Sequence, residues 1–142
     1  MGQKAERIGV RLASLRREHE DVLNSFKLVR AAVEADANSG RVFGLVSGLD
    51  DILEAHFAHE KRSLYTPLKL AVEGNPAGLM LAEHAEIART IKTLLSDLSQ
   101  GTEPSSLSCD KLGPRIGALQ RLVFDHMRKE EKVIFWIAEL EL

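Results

Sequence analysis

Cysteine occurs once in this chain, at Cys109, so no internal disulfide can form and a reducing compartment is the expected setting. No apolar run is long enough to cross a bilayer, and Met1-Gly2-Gln3-Lys4-Ala5-Glu6-Arg7 lacks the apolar core of a signal peptide. Glu6 stands where N-myristoylation prefers Ser or Thr. Charge of one sign is also missing: 19 Lys and Arg face 21 Asp and Glu, and the basic residues are scattered, which argues against a nucleic-acid surface. Nowhere do apolar and polar residues alternate at the period of a strand. The expectation is an all-α, cytoplasmic protein with no nucleic-acid and no membrane partner. Its 142 residues suit one domain, 1–142, large enough to bury a core.

What the chain does have is helical periodicity. Ile8, Leu12, Leu15, His19, Val22, Phe26, Val29 and Val33 share one stripe of a helix expected over about 4–37. Asn38-Ser39-Gly40 reads as its stop. A second helix is expected from about Arg41 toward Pro67, with a kink there and a short continuation to Val72. Its stripe is Val42, Leu45, Leu49, Ile52, Leu53, His56, Glu60 and Leu64. Gly74 to Gly78 reads as a turn cluster. A third helix over about 79–98 carries Met80, His84, Ile87, Ile91, Leu94, Leu95 and Leu98. Gln100 to Asp110 reads as a loop, and the fourth helix is expected from Lys111 or Leu112, with Pro114 in its first turn. The fourth stripe is Ile116, Leu119, Val123, His126, Glu130, Ile134 and Ile137. Four long helices with short connections predict an antiparallel up-down-up-down four-helix bundle.

Polar residues interrupt these stripes at matched heights. At about 1.5 Å per residue, His19 lies about 30 Å from the first turn and His56 about 24 Å back from it. His84 and His126 are similarly balanced about the Gln100–Asp110 segment. An internal repeat reinforces the match. Glu18-His19 resembles Glu83-His84, and His56-x-x-x-Glu60 with Leu64-Tyr65 resembles His126-x-x-x-Glu130 with Ile134-Phe135.

A histidine and a glutamate one turn apart point the same way on a helix. One such pair arises easily by chance, and a single core histidine is most often a satisfied structural one. Four histidines and two glutamates on core stripes, at one level and in a duplicated pattern, are hard to satisfy without a cation. The candidate ligands are His19, His56, Glu60, His84, His126 and Glu130. Four imidazoles and two carboxylates exceed a tetrahedral zinc site, and imidazole is a poor partner for calcium or magnesium. Two metals, each with two histidines and sharing both carboxylates, use the whole set. Iron is the expected occupant, with manganese or a mixed iron–manganese pair as the alternative.

The pattern H…H-x-x-x-E…H…H-x-x-x-E, met by those six residues, resembles that of the hemerythrin-like (HHE cation-binding) domain family over nearly the whole chain. Glu18-His19, Leu64-Tyr65-Thr66-Pro67, Glu83-His84 and Arg128-Lys129-Glu130-Glu131 extend the likeness. The resemblance implies a four-helix bundle with a non-haem di-iron centre, bridged by carboxylates and by solvent-derived oxo or hydroxo groups. Oxygen carriers of the family have a second histidine four residues after the third-helix histidine, and an aspartate five after the fourth-helix one. Here those positions hold Ala88 and Glu131, which turns the expectation from oxygen storage toward reaction with dioxygen, peroxide or nitric oxide. In enzyme form this is a di-iron oxidoreductase. The alternative is a metal, redox or gas sensor, or an oxygen-binding module, that acts through a protein partner without turnover.

Other residues have plainer expectations. His59 is expected at the boundary or in solvent, and Tyr65 and Trp136 in core packing, though either is placed to approach the site. Cys109 is read as an unreactive loop thiol. Glu18 and Glu83 are read as exposed carboxylates, with hydrogen bonds to ligating imidazoles as the alternative.

Overall fold

Every described stretch with a 3.6-residue stripe is helical. The structure, a computed structural model, describes residues 2–71, 77–100 and 109–142, and the side chains of 8–71, 77–99 and 111–142. In order come α1 (Gly2–Glu34), α2 (Ser39–Glu60), a π-helical turn (Lys61–Tyr65), α3 (Thr66–Ala71) and α4 (Ala77–Gln100). α5 (Cys109–Lys129), a second π turn (Glu130–Ile134) and α6 (Phe135–Glu141) follow. Each π turn runs into helix on both sides, so α2 with α3, and α5 with α6, form continuous rods beside α1 and α4. No strand occurs among the described residues.

The rods form a helical bundle in which α1 packs on α2, α5 and α6, α2 on α4, and α4 on α5. Polar contacts join neighbours along their length: Arg11 with Ser63, Arg30 with Gln120, Asp50 with Lys92, and Asp97 with Arg115. Two apolar clusters fill the interior. One holds Val22, Phe26, Leu49, Ile91, Ile116 and Val123 among others. The other holds Leu12, Leu15, Leu64, Leu68, Ile134 and Phe135 among others. Between them in sequence, on every rod, lies a buried histidine or His-x-x-x-Glu pair.

Several boundaries differ from expectation. α1 ends at Glu34 rather than near Ala37, because Asp36 takes φ 55°. The Ala37 N–H returns to Ala32 O and the Asp36 N–H to Val33 O, the paired bonds of a Schellman ending. Asn38 therefore does not stop the first helix. It caps the second, its side chain accepting from the Arg41 N–H at 2.9 Å. α4 begins at Ala77 instead of Leu79 and reaches Gln100, and α5 begins at Cys109, which puts Pro114 in the second turn. Cys109 thus lies in a helix rather than a loop. Val72, the Gly74–Pro76 part of the turn cluster, and 101–108 lie outside the described residues.

The kink expected at Pro67 is instead a π turn just before it. Pro67 has no N–H to return to the Ser63 carbonyl four residues back. Arg11 of α1 supplies the missing donor, its Nη1 bonding Ser63 O at 2.9 Å. Within the turn, the Thr66 N–H reaches back to Lys61 O, and in the second turn the Phe135 N–H reaches Glu130 O. The wider winding buries adjacent residues, Leu64 with Tyr65 and Ile134 with Phe135, which a regular α-helix would splay about 100° apart. Ile52, expected in the core, is 36% exposed, and Leu45 is only partly buried. Val46 and Asp50 occupy the buried face instead, with the Asp50 carboxylate paired to Lys92.

Candidate metal centre

The periodicity that buries leucines also buries His19, His56, Glu60, His84, His126 and Glu130, because each falls on the same stripe as its apolar neighbours. The structure brings all six together. One atom from each of His19, His56, Glu60 and Glu130 lies within 4.8 Å of the others, and so does one from each of Glu60, His84, His126 and Glu130. The two carboxylates belong to both groups. Glu60 turns Oε2 toward His56 Nε2 (3.3 Å) and His19 Nε2 (3.6 Å), and Oε1 toward His84 Nε2 (3.2 Å). Glu130 turns Oε1 toward His19 Nε2 (3.1 Å), and Oε2 toward His126 Nε2 (3.3 Å) and His84 Nε2 (3.9 Å).

Carboxylates outside the centre set how the imidazoles stand. The Nδ1–H of His56 donates to Glu18 (2.8 Å), that of His126 to Glu83 (2.8 Å), and that of His19 to Glu131 (3.3 Å). With Nδ1 engaged outward, Nε2 faces the shared carboxylates, the arrangement a metal-binding imidazole needs. His84 is held differently, its ring stacked on Phe57 with centroids 3.8 Å apart. Glu18 and Glu83 are therefore not idle surface carboxylates. Each also meets a second partner, Glu18 at His59 Nδ1 (2.7 Å) and Glu83 at the Lys129 ammonium. His59 itself is partly exposed and joins neither group.

The buried carboxylates favour positive charge in this pocket. Burial alone would lower the His19 pKa, but hydrogen bonds and charge from Glu130 and Glu60 outweigh it and raise the group from 6.5 to about 10. Against burial, His56 is raised by Glu60 and Glu18, His84 by Glu130 and Glu60, and His126 by Glu130, Glu83 and Glu60. Burial would raise Glu130, yet hydrogen bonding with Glu60 and the imidazoles of His126, His19 and His84 holds it well below its ordinary value. Burial opposes the shift at Glu83 too, and Lys129 and His126 bring that group down.

Several polar atoms of the centre are buried without a hydrogen bond among the described residues: Nε2 of His56, His84 and His126, and both oxygens of Glu60. Such atoms cost about 1–3 kcal/mol each when left unmatched. All point inward, and all are nitrogen or carboxylate donors of the kind that late first-row metals accept. The residues present fit a metal cation.

Three contacts were not visible in the sequence, and a fourth, Tyr65 at the centre, stood only as the lesser alternative to core packing. Glu131 is exposed enough to look like surface, yet its oxygen reaches the outer nitrogen of His19. Phe57, beside His56 in sequence, stacks across the bundle on His84. Phe135 stacks on His19 with centroids 5.8 Å apart. Tyr65 is fully buried and its hydroxyl donates to Glu130 Oε2. Burial, then the negative charge of Glu130 and Glu60, raises the Tyr65 pKa far above its ordinary value, so the phenol keeps its proton. Five residues past Glu60, Tyr65 would stand about 140° away on an α-helix. The π turn brings it round to the same face, and no stripe count anticipates that. Trp136 neither packs in the core nor approaches the centre; it is 60% exposed.

Comparison with known proteins agrees with this geometry. The family model described as Hemerythrin HHE cation binding domain matches residues 10–138, a span that includes all six clustered residues. Neither the curated proteins nor the solved structures give a match.

Proposed function

Because the chain belongs to the hemerythrin HHE cation-binding domain family, we propose that its six buried ligands hold two iron ions that react with small oxidants. The observation that carries this reading is the sharing of Glu60 and Glu130 by both four-atom groups, which makes two adjacent positions out of six residues. His19 and His56 serve one position, His84 and His126 the other, and the carboxylates span both. When bound, an adjacent iron pair supplies two-electron chemistry toward dioxygen, hydrogen peroxide or nitric oxide.

The chain's own residues prepare that chemistry. Glu18, Glu83 and Glu131 hold His56, His126 and His19 with Nε2 inward. The two apolar clusters close the polar layer on both sides and keep bulk water from it. Ala88 adds no imidazole where an oxygen carrier has one, which leaves the His84 side with fewer protein ligands and favours reaction over reversible storage.

The same reading takes residues 1–142 as a single domain with up-down-up-down topology. Its support is the pairing of early residues with late ones on successive rods: Arg11 with Ser63 and Glu18 with His56, Asp50 with Lys92 and Glu60 with His84, Glu83 with His126 and Asp97 with Arg115. No helix of the described residues is long and apolar enough to cross a membrane.

Elemental analysis of protein from iron-replete cells tests the centre. Two irons per chain are expected, falling to one or none in Glu60→Ala and Glu130→Ala. One zinc per chain, retained against added iron, would overturn the reading. Reactivity is tested by adding peroxide to the iron-loaded protein and following its visible spectrum; no response beyond that of Glu60→Ala would leave a binding protein without oxidant chemistry.

A further inference from the structure

The internal repeat makes the two shared carboxylates equivalent in sequence, but the structure treats them differently. Glu130 Oε2 accepts a hydrogen bond from the Tyr65 hydroxyl, and Glu130 Oε1 lies 3.1 Å from His19 Nε2. Glu60 is buried to the same degree, yet neither of its oxygens has a hydrogen-bond donor among the described residues. The residue that the repeat would set beside Glu60 as Tyr65 stands beside Glu130 is Phe135, which has no hydroxyl. Its ring lies flat against His19 instead.

A carboxylate oxygen has two lone pairs, so Oε2 of Glu130 can accept from Tyr65 and still present one toward His126 and His84. The bond thus fixes the plane of the Glu130 carboxylate without consuming its capacity to bind. Glu60 has no such hydroxyl: only the ring nitrogens of His84, His56 and His19 stand near its oxygens, at 3.2, 3.3 and 3.6 Å. On the di-iron reading above, we propose that Tyr65 is a positioning residue that pins Glu130 as the standing bridge, and that Glu60 is the carboxylate that turns aside when a small anion enters.

Azide on the iron-loaded protein is the probe, and Tyr65 is a convenient reporter because the chain has one tyrosine. In the infrared difference spectrum of the wild type on adding sodium azide, one carboxylate stretch should shift while the tyrosine C–O band stays put. A displaced tyrosine band would mean that Glu130 moves, and would overturn the proposal. The Tyr65→Phe variant keeps the ring and removes the donor. It should lose metal to a chelator at least tenfold faster, in the range of about 10–100-fold seen for residues that orient metal ligands. It should also show a second carboxylate shift with azide. Wild-type release kinetics together with a single carboxylate shift in Tyr65→Phe would reduce Tyr65 to packing and overturn the assignment. Metal-free Tyr65→Phe should keep wild-type helical content, separating positioning from folding. A wild-type protein that holds fewer than two irons fails the di-iron reading itself, a result visible before azide is added.

Discussion

The two apolar clusters and the polar layer between them use one helical pattern for opposite ends. In the clusters, Leu12, Phe26, Leu49 and Ile116 remove apolar surface from water, at about 25 cal/mol per Å2. In the layer, the same stripe positions bury two carboxylates and four imidazoles, which oppose folding until they are matched. A bundle can carry such a layer only because leucine-rich packing lies to either side of it. The clusters hold the chain together, and the layer gives it something to bind.

The largest effect should come from removing metal. Ions that bind only the folded chain stabilise it by about 4 kcal/mol at a thousandfold excess over Kd, and about 2–8 °C of melting temperature accompanies each kcal/mol. Thermal melts by circular dichroism should therefore separate loaded and metal-free protein by on the order of 10 °C or more. Coincident melts would mean that the polar layer is satisfied without metal. The pH dependence should differ as well. In the metal-free chain the raised histidines, His19 above all, contribute fully below about pH 6.5 and lose that contribution as pH rises toward about 10. Glu130, held low, contributes above its ordinary range and loses that contribution only in strong acid. Metal-free stability should thus fall from pH 6.5 to 10, while metal affinity rises because the imidazoles must shed protons to bind. Parallel pH profiles for the two forms would contradict this.

Next in size is an apolar truncation. Leu49→Ala removes a fully buried side chain and should cost about 2–5 kcal/mol. If clusters and layer are separable, denaturant unfolding should show the same loss with and without metal, and metal content should stay at the wild-type value. A loss of metal would show that packing around Leu49 reaches the ligands.

Smaller changes are expected at the outer carboxylates. Glu18→Gln and Glu83→Gln should each weaken metal binding roughly 10–100-fold, since His56 and His126 lose the charge that orients them. Competition with a chelator measures this directly, and unchanged affinity in both would return them to the surface role. His59→Ala should be the mildest, within about 0.5 kcal/mol of wild type in stability and with full metal content. His59 touches Glu18 but faces neither ligand group. Loss of a metal in that variant would redraw the site.

How much of this could be read from the chain follows from what periodicity can carry. The clustering of six buried histidines and glutamates was legible because they sit on stripes and recur in a repeat, and the helices were legible for the same reason. Ile52 and Leu45 were misplaced because an apolar residue at the edge of a stripe is tolerated in water, whereas Asp50 is buried there with Lys92 to neutralise it. Turn chemistry shifted the ends: Asp36 takes the left-handed position and ends the first helix before the Asn38-Ser39-Gly40 stop is reached. The contacts of Glu18, Glu83 and Glu131 depend on which rods face one another, and that is not written in any single helix. Tyr65 near the site was only an alternative to core packing, because the π turn changes the angle per residue just where the count from Glu60 matters.

Trp136 has a consequence for how the molecule can be watched. Its indole is the only one in the chain and already lies in water on α6. Unfolding moves it from one aqueous setting to another, so its emission changes little while the bundle comes apart. Tyr65 and Phe135, both fully buried at the polar layer, pass from rigid asymmetric surroundings into solvent. Their near-ultraviolet dichroism is the signal that fades when the centre loosens, and a fluorescence melt of this protein would pass over the event in silence.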